Sequence, residues 1–156
     1  MSEPTPDEIA ALLQVEHLLD QRWPETKLQP STIRIDALMD LLGSPQNSYP
    51  SIHIVGTNGK TSVARMIDAL LTAFNQRTGR TTSPHLQSAT ERIAIDNQPI
   101  SPARYVETYR EVEPFVQMVD AQSLSGELGV AGPVMSKFEV VTAMAFAAFA
   151  DAPVDV

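Results

Sequence analysis

Residues 51–62 constrain the fold of this chain more than any other stretch, and they read Ser-Ile-His-Ile-Val-Gly-Thr-Asn-Gly-Lys-Thr-Ser. The apolar residues Ile52, Ile54 and Val55 predict a buried strand, and a helical pattern begins at Val63. The glycines between them allow a turn too sharp for a residue with a side chain. The order strand, loop, helix predicts an α/β fold organised around this loop.

The loop has the chemistry of a phosphate site. Successive backbone N–H groups, together with those of the new helix, form a concave anion site. Lys60 would add a positive charge near the terminal phosphates of a nucleotide, and Thr61 or Ser62 could offer a hydroxyl to magnesium. The usual pattern has a glycine where this chain has Ile54, so the loop is a shortened variant. A glycine-rich turn without a ligand remains an alternative at this point.

Composition limits the classes of protein that fit. The chain has 156 residues, 43% of them hydrophobic and 19% charged, which is typical of one globular domain. No apolar run is long enough to span a membrane, and a net charge of −8 argues against a nucleic-acid partner. The acidic start lacks the layout of a signal peptide, and cysteine is absent, so we expect a cytoplasmic location.

Charge is distributed unevenly along the chain. Between Ile52 and Arg92 there are five basic residues and two acidic ones, whereas the rest of the chain is strongly acidic. A locally positive segment around a phosphate loop suits an anionic small ligand.

The remaining sequence alternates helical patterns with short strand patterns. The Thr5-Pro6-Asp7-Glu8 sequence predicts a capping-box helix start, and Pro114 is expected to kink or divide a later helix. The other predicted elements are a helix from Ser31 or Thr32 to Gly43, a core-packed helix after the loop, a weak strand at 80–82, a strand and reversal over 91–100, a mobile connection at 121–133 and a last helix from Ser136. Residues 152–156 read as the entry to a buried strand, from which we expect the chain to be the N-terminal part of a longer protein.

Three residues outside the loop are candidates for a nucleotide–metal site, and local sequence leaves each of them open. Ser83 precedes Pro84 and is equally compatible with the start of a turn. His85 is compatible with a structural histidine. Glu139 stands three residues after Ser136, where a capping box explains it without any metal, and capping is the favoured local interpretation.

Several motifs in series resemble one family. They are Ile-His-Ile-Val-Gly-Thr-Asn-Gly-Lys-Thr-Ser (52–62), Thr-Ser-Pro-His-Leu (82–86), Glu-Arg-Ile (91–93) and Lys-Phe-Glu-Val-Val-Thr-Ala (137–143). Their order and spacing are similar to those of the folylpolyglutamate synthase/dihydrofolate synthase family, within the Mur ligase superfamily. The approach from Arg34 to Gln46 is similar as well, so the resemblance covers nearly the whole chain from about residue 30.

The resemblance implies an ATP-dependent ligase that adds L-glutamate to a folate-type carboxylate through an acyl phosphate. It implies a three-layer P-loop domain with a mostly parallel sheet, of which residues 1–156 are the N-terminal portion, with a separate glutamate-binding domain outside the chain and a monomeric full-length enzyme. The residues that it assigns to the ATP phosphates are Gly56, Thr57, Asn58, Gly59, Lys60, Thr61 and Ser62, with Lys60 acting on the phosphoryl group being transferred. It assigns Mg²⁺ to Ser83 and Glu139, and the substrate to Arg34, His85 and Arg92.

The chain also departs from the family pattern. Thr61 stands where the family commonly has glycine, and residues 80–82 are more polar than the usual strand before Ser-Pro-His. Residues 26–29 contain no copy of the pterin-contacting loop of the dihydrofolate-synthesising members, which leaves bifunctionality open. A Mur-type cell-wall ligase and a non-catalytic nucleotide-binding module are the alternative functions, and we expect the 156-residue chain alone not to ligate.

Overall fold

The computed structural model describes residues 3–23 and 31–156. Those residues form five α-helices, three short strands and two 3-10 turns. The helices are α1 (Pro6–Asp20), α2 (Ile33–Leu41), α3 (Lys60–Ala73), α4 (Pro102–Ser125) and α5 (Lys137–Asp151). The strands are β1 (Gly79–Thr81), β2 (Ile93–Ile95) and β3 (Gln98–Pro99), and the 3-10 turns are Pro45–Asn47 and Ala89–Arg92.

The chain folds as two compact units. The first lies within Met1–Ser44 and Pro102–Met144, and the second comprises Pro45–Ser101 and Ala145–Val156. Helix α5 therefore contributes residues to both.

The first unit is helical, with α1 and α2 each packed against α4. Apolar side chains recur at helical spacing along α4 and meet those of the neighbouring helices, which gives this unit a continuous buried core. Its fully buried large side chains include Leu19, Leu38, Tyr105, Val112, Val116, Val119 and Met144.

Local sequence signals set the helix ends in this unit. At the start of α1, the Thr5 side chain accepts from the Glu8 backbone N–H and the Glu8 carboxylate accepts from the Thr5 N–H, which confirms the predicted capping box. Gly43 follows α2 with φ of +77°, the left-handed conformation that favours glycine after a helix. Of the two predicted effects of Pro114, a kink or a division of the helix, the division does not occur, because α4 runs through this proline.

The second unit contains α3 and a three-stranded antiparallel sheet in the order β1-β2-β3. In this sheet Arg80 of β1 pairs with Ala94 of β2. The predicted reversal is confirmed as a tight hairpin, because Asp96 and Asn97 between β2 and β3 both have positive φ, at +50° and +62°. Ile93 and Ala94 of β2 are fully buried.

One expectation for this unit holds in its coarser form, and one is corrected. The α/β class holds; the strands among the described residues form an antiparallel sheet, and the mostly parallel arrangement stays a prediction. Residues 52–55 carry no strand assignment, and Ile52 and Val55 are 55% and 77% exposed. The physical reason is that a buried strand needs partners on both edges, and none of the described strands pairs with 52–55.

Helix α3 also buries a different face from the one predicted. Of the apolar stripe predicted to pack in the core, Val63, Leu70 and Phe74 are exposed, and Ile67 and Leu71 are only partly buried. The one fully buried residue of α3 is Asp68. The helix therefore contacts β1 through a polar side. Core packing was predicted for the apolar stripe, and that prediction is wrong for the described chain.

The last residues run beside β1 without forming an assigned strand. Asp155 N–H donates to the Arg77 carbonyl at 2.7 Å, and Gly79 N–H donates to the Val156 carbonyl at 2.9 Å.

Residues 26–29, which the sequence analysis compares with the family's pterin-contacting loop, lie outside the described residues. None of the helices in the described part of the chain is both long and apolar enough to cross a membrane.

Candidate nucleotide and metal site

The glycine loop leads directly into α3 and has the backbone that its sequence predicts. Gly56 has φ of +147° and Gly59 has φ of +74°, conformations that residues with a Cβ rarely adopt. Gly59 is the N-cap of α3, and no side chain caps the helix there. Because the first N–H groups of a helix lack intrahelical partners, this fourteen-residue helix begins with donors available to an anion.

Lys60 folds back over this loop. Its ammonium nitrogen donates to the Gly56 carbonyl at 2.7 Å, a contact that spans the turn from its first glycine to the first helical residue. Residues 55–60 are exposed, so the ammonium group and the loop backbone are accessible together. A single charge held beside a row of backbone donors is an arrangement suited to a phosphate chain.

A second group of candidates follows β1. Ser83 is exposed, and the Ser83–Pro84 peptide is cis. Two residues on, His85 Nδ1 accepts from Nε of buried Arg92 at 2.9 Å, which leaves the ring proton on Nε2. The structure thus brings His85 and Arg92 together and fixes the imidazole beside the Ser-Pro segment.

Glu91 orders the same segment from its other side. Its carboxylate accepts from the backbone N–H groups of Leu86, Gln87 and Ser88 at 2.9 to 3.1 Å. These hydrogen bonds, with that of Leu86 the largest influence, lower the pKa of the Glu91 carboxyl from its ordinary value of 4.5. The segment after Ser83 is therefore held by an ionised carboxylate.

Glu139 lies in the first unit and is the capping residue that its local sequence favours. Its Oε2 accepts from the Ser136 backbone N–H at 2.7 Å, and its own N–H donates to Ser136 Oγ at 3.2 Å, which is the reciprocal capping box. The same carboxylate also accepts from Nε of Arg34, at 3.1 Å to Oε1. Both side chains are buried, 7% and 11% exposed, so Glu139 is at once a cap and half of a buried ion pair.

Arg34 is held from a second direction by an aromatic ring. Its guanidinium carbon lies 5.4 Å from the centroid of the Trp23 ring, within the range of a cation–π contact. The Trp23 indole N–H in turn donates to the Val134 carbonyl at 2.7 Å. Arg34 therefore presents a fixed positive charge to Glu139.

The predicted site residues thus fall into three local groups. The glycine loop and the Ser83–His85–Arg92 group belong to the second unit, and the Arg34–Glu139 pair belongs to the first. Across the described ranges, no three His, Cys, Asp or Glu side chains converge as a metal cluster would require. The donors that fit magnesium are oxygens only, namely the Ser83 hydroxyl and the Glu139 carboxylate, which is the chemistry that a hard cation prefers.

Sequence reasoning missed a buried polar network beside the loop helix. Asp68 of α3 accepts from Thr78 Oγ1 at 2.5 Å and from Arg80 Nε at 2.7 Å. The only signal was indirect: Arg80 belongs to residues 80–82, which are unusually polar for a strand, and Thr78 lies just before them. Nothing local identified Asp68 as their partner.

Comparison with known proteins agrees with the motifs. The dihydrofolate synthase/folylpolyglutamate synthase of Mycobacterium tuberculosis is 76% identical over 153 residues, which cover 98% of this chain and 31% of that protein. A structure of Mycobacterium tuberculosis folylpolyglutamate synthase complexed with ADP is similar with a TM-score of 0.88 and 72% identity, covering 96% of this chain and 31% of that one. An FPGS–AMPPCP–folate complex is similar with a TM-score of 0.77 and 30% identity, over 93% of this chain and 33% of that one.

No family model matches the chain. The chain spans about a third of the length of these relatives. Within that span the order of the motifs, the sequence identity and the fold agree, and the chain belongs to the folylpolyglutamate synthase/dihydrofolate synthase family.

Proposed function

We propose that this chain is the N-terminal portion of the ATP-binding domain of an ATP-dependent ligase that adds L-glutamate to a folate-type carboxylate. The observation that carries the proposal is the exposed glycine loop at the uncapped start of α3, with the Lys60 ammonium held over it. Related structures contain ADP, or AMPPCP with folate, which supports the same two substrates here. The glutamate-binding domain would lie outside these 156 residues.

In this proposal the loop binds ATP and Lys60 acts on the phosphoryl group that is transferred. Backbone N–H groups from Gly56 to Ser62 hold the phosphates, and Lys60 exchanges the Gly56 carbonyl for a phosphate oxygen. The folate carboxylate attacks the terminal phosphorus, the bond from that phosphorus to the bridging oxygen breaks, and ADP leaves. The glutamate amino group then displaces phosphate from the acyl phosphate and forms the amide. Stabilising the charge on the migrating group is the main task of such a site.

Ser83 and Glu139 are the proposed magnesium ligands. When bound, the metal neutralises charge on the phosphate oxygens. Both oxygens of Glu139 already accept hydrogen bonds, Oε2 from Ser136 and Oε1 from Arg34, so metal binding would use a further lone pair or require Oε1 to leave Arg34. The Ser83 hydroxyl is exposed and available.

The substrate contacts are proposed with different roles. His85 is partly exposed, and the hydrogen bond from Arg92 to its Nδ1 supports the ring. Arg34 is buried against Glu139, so a direct contact with the folate substrate would require it to leave that ion pair. The geometry favours its action through Glu139.

The three-layer, mostly parallel arrangement also belongs to this proposal, and two features support it. Val63, Leu70 and Phe74 of the apolar stripe of α3 are exposed, as expected of a face that packs on a larger sheet. The hydrogen bonds of Asp155 and Gly79 advance in the same direction along both segments, as in parallel strands. ATP would then lie at the carboxyl end of residues 52–55. The cytoplasmic location and the monomeric state stay predictions.

Titration of Mg·ADP into the complete polypeptide tests the nucleotide site. The complete polypeptide here means the longer protein of which we propose this chain to be the N-terminal portion. Lys60→Ala should weaken binding by about tenfold or more, because a charge-assisted hydrogen bond to phosphate is lost. Arg77→Ala is the control, since it removes one exposed positive charge from the same unit at a distance from the loop sequence. Equal affinities for wild type and Lys60→Ala would contradict the assignment.

A further inference from the structure

A buried ion pair joins the helix that follows the glycine loop to the strand that leads to Ser83. Asp68 of α3 is 4% exposed and Arg80 of β1 is 8% exposed, with Arg80 Nε 2.7 Å from Asp68 Oδ2. Thr78 donates to the other carboxylate oxygen, Oδ1, at 2.5 Å. Both oxygens of one helical carboxylate are thus bonded to the same extended segment.

This network fixes the position of α3 along the neighbouring strand as well as the distance between the two elements. Two hydrogen bonds from residues that alternate along a strand hold the carboxylate at one position of that strand. Arg80 is itself in register with Ala94 of β2, and Thr78 Oγ1 also contacts Thr72 Oγ1 of α3 at 3.2 Å. Axial sliding of α3 along β1 would break both Asp68 hydrogen bonds and the Thr72–Thr78 contact together.

The pair is more than a source of stability. Replacement of a buried ion pair by packed apolar residues is often neutral or stabilising in other proteins. Moreover, Arg80 Nη1 is buried without a hydrogen-bond partner among the described residues, so this arrangement is not optimised for stability alone. The charged pair makes directional hydrogen bonds that fix the position of α3 along β1, whereas an apolar pair would not.

The relative position of α3 and β1 matters because α3 begins at Lys60 and β1 leads to Ser83. Asp68 stands eight residues after Lys60 on a continuous helix, and Ser83 stands three residues after Arg80. We propose that Asp68 and Arg80 are positioning residues that hold the Ser83 hydroxyl at a fixed place relative to the phosphate loop. This inference rests on the proposed function, in which Ser83 binds the magnesium that accompanies the nucleotide.

The test compares three variants of the complete polypeptide by two measurements, with thermal unfolding as a separate check of stability. Asp68→Asn removes the charge, Asp68→Leu combined with Arg80→Met replaces the pair by apolar side chains, and Asp96→Asn is the control. Asp96 also accepts from the Thr78 backbone and suits the control because asparagine tolerates its positive φ. The measurements are hydrogen exchange of peptides covering 81–86, and ADP affinity with Mg²⁺ and with chelator.

Asp68→Asn should speed exchange in 81–86 by about tenfold or more, because the local opening free energy falls. The gain in ADP affinity on adding Mg²⁺ should fall by about tenfold, while metal-free ADP affinity stays within about threefold because the loop is unchanged. The apolar double variant should recover the wild-type melting temperature without recovering the Mg²⁺-dependent gain. Asp96→Asn should resemble wild type in both measurements.

The outcomes separate the two proposals. If the double variant recovers the Mg²⁺-dependent gain along with stability, or if Asp68→Asn leaves exchange in 81–86 unchanged, the pair is structural only and the positioning inference is overturned. If wild type gains no ADP affinity from Mg²⁺, the proposed metal site fails and the positioning inference fails with it. If both Asp68 variants lose the Mg²⁺-dependent gain in ADP affinity while wild type and Asp96→Asn keep it, the result supports both the proposed metal site and the positioning inference.

Discussion

Single residues in this chain serve two purposes at once, and Glu139 is the clearest case. Its spacing from Ser136 predicts a capping box, and the geometry confirms one. The buried ion pair with Arg34 was beyond local reasoning, because the two residues are 105 positions apart in sequence. A cap is a short-range pattern that sequence contains in full, whereas an ion pair between distant helices depends on how those helices pack.

The charge on Glu139 should therefore contribute to stability beyond its capping role. Glutamine at the same position keeps a capping-box acceptor, so Glu139→Gln isolates the loss of charge opposite buried Arg34. We expect a loss of about 3 kcal/mol in the free energy of unfolding, because an uncompensated buried charge remains. Denaturant unfolding of the variant measures it.

The matched control is Glu107→Gln on α4. Glu107 pairs with Arg104 at 2.8 Å in an exposed i,i+3 arrangement, which should contribute at most about 0.5 kcal/mol. If the two glutamine substitutions lower the free energy of unfolding equally, the buried Arg34–Glu139 pair contributes no more to stability than the exposed pair does.

The stabilising contribution of the Glu91 carboxylate should depend on pH. Its pKa is lowered in the folded state, so its stabilising contribution is present above the ordinary value of 4.5 and is lost as pH falls through the lowered folded value. Below that value the amides of Leu86, Gln87 and Ser88 should lose their acceptor. Amide chemical shifts of these three residues, followed during acid titration, should move together, and the same titration of Glu91→Gln should lack the transition.

At the scale of elements, the type of each helix was predictable but its buried face was not. The span after the glycine loop has helical periodicity, and α3 forms there. Val63, Leu70 and Phe74 of its predicted core stripe are nevertheless exposed, and the side of α3 that faces β1 carries the buried Asp68. Periodicity identifies an amphipathic helix, but which face is covered depends on the elements available to cover it.

The contact between β1 and the end of α5 can be tested through a glycine. A Cβ built on Gly79 would lie 2.6 Å from the Phe149 ring, closer than real Cβ contacts allow. Gly79→Ala should therefore lower the free energy of unfolding by about 1 to 3 kcal/mol through overpacking. Thermal or denaturant unfolding provides the measurement.

A second substitution checks the physical cause. Phe149→Leu removes the ring atoms that the new Cβ at position 79 would meet, so the double variant should be more stable than the sum of the two single effects predicts. Strictly additive losses would mean that the glycine is needed for some reason other than the ring.

At the scale of the whole molecule, sequence reasoning reached the family and the α/β class but not the sheet. The hairpin of β2 and β3 was predictable because its turn residues are local in sequence. A parallel sheet is built from segments far apart in sequence, and the described residues form only three antiparallel strands. Likewise the Ser83, Glu139 and loop motifs were found in sequence, while their geometry as one site stays a proposal.

The proposed domain arrangement predicts that residues 1–156 alone do not ligate. The chain spans about a third of its relatives, and the proposed glutamate-binding domain lies outside it. The purified 156-residue chain, given ATP, a folate substrate and L-glutamate, should release no glutamate-dependent phosphate. Clear turnover by this chain would contradict the arrangement.

Product analysis with the complete polypeptide tests the central claim most directly. The polypeptide is incubated with Mg·ATP, L-glutamate and either tetrahydrofolate or a cell-wall precursor as acceptor, and the products are identified by mass spectrometry. We predict that tetrahydrofolate gains one glutamyl unit per ATP cleaved, and that Lys60→Ala loses this product while Arg77→Ala keeps it. Glutamylation of the cell-wall precursor instead, or nucleotide binding without any amide product, would contradict the account.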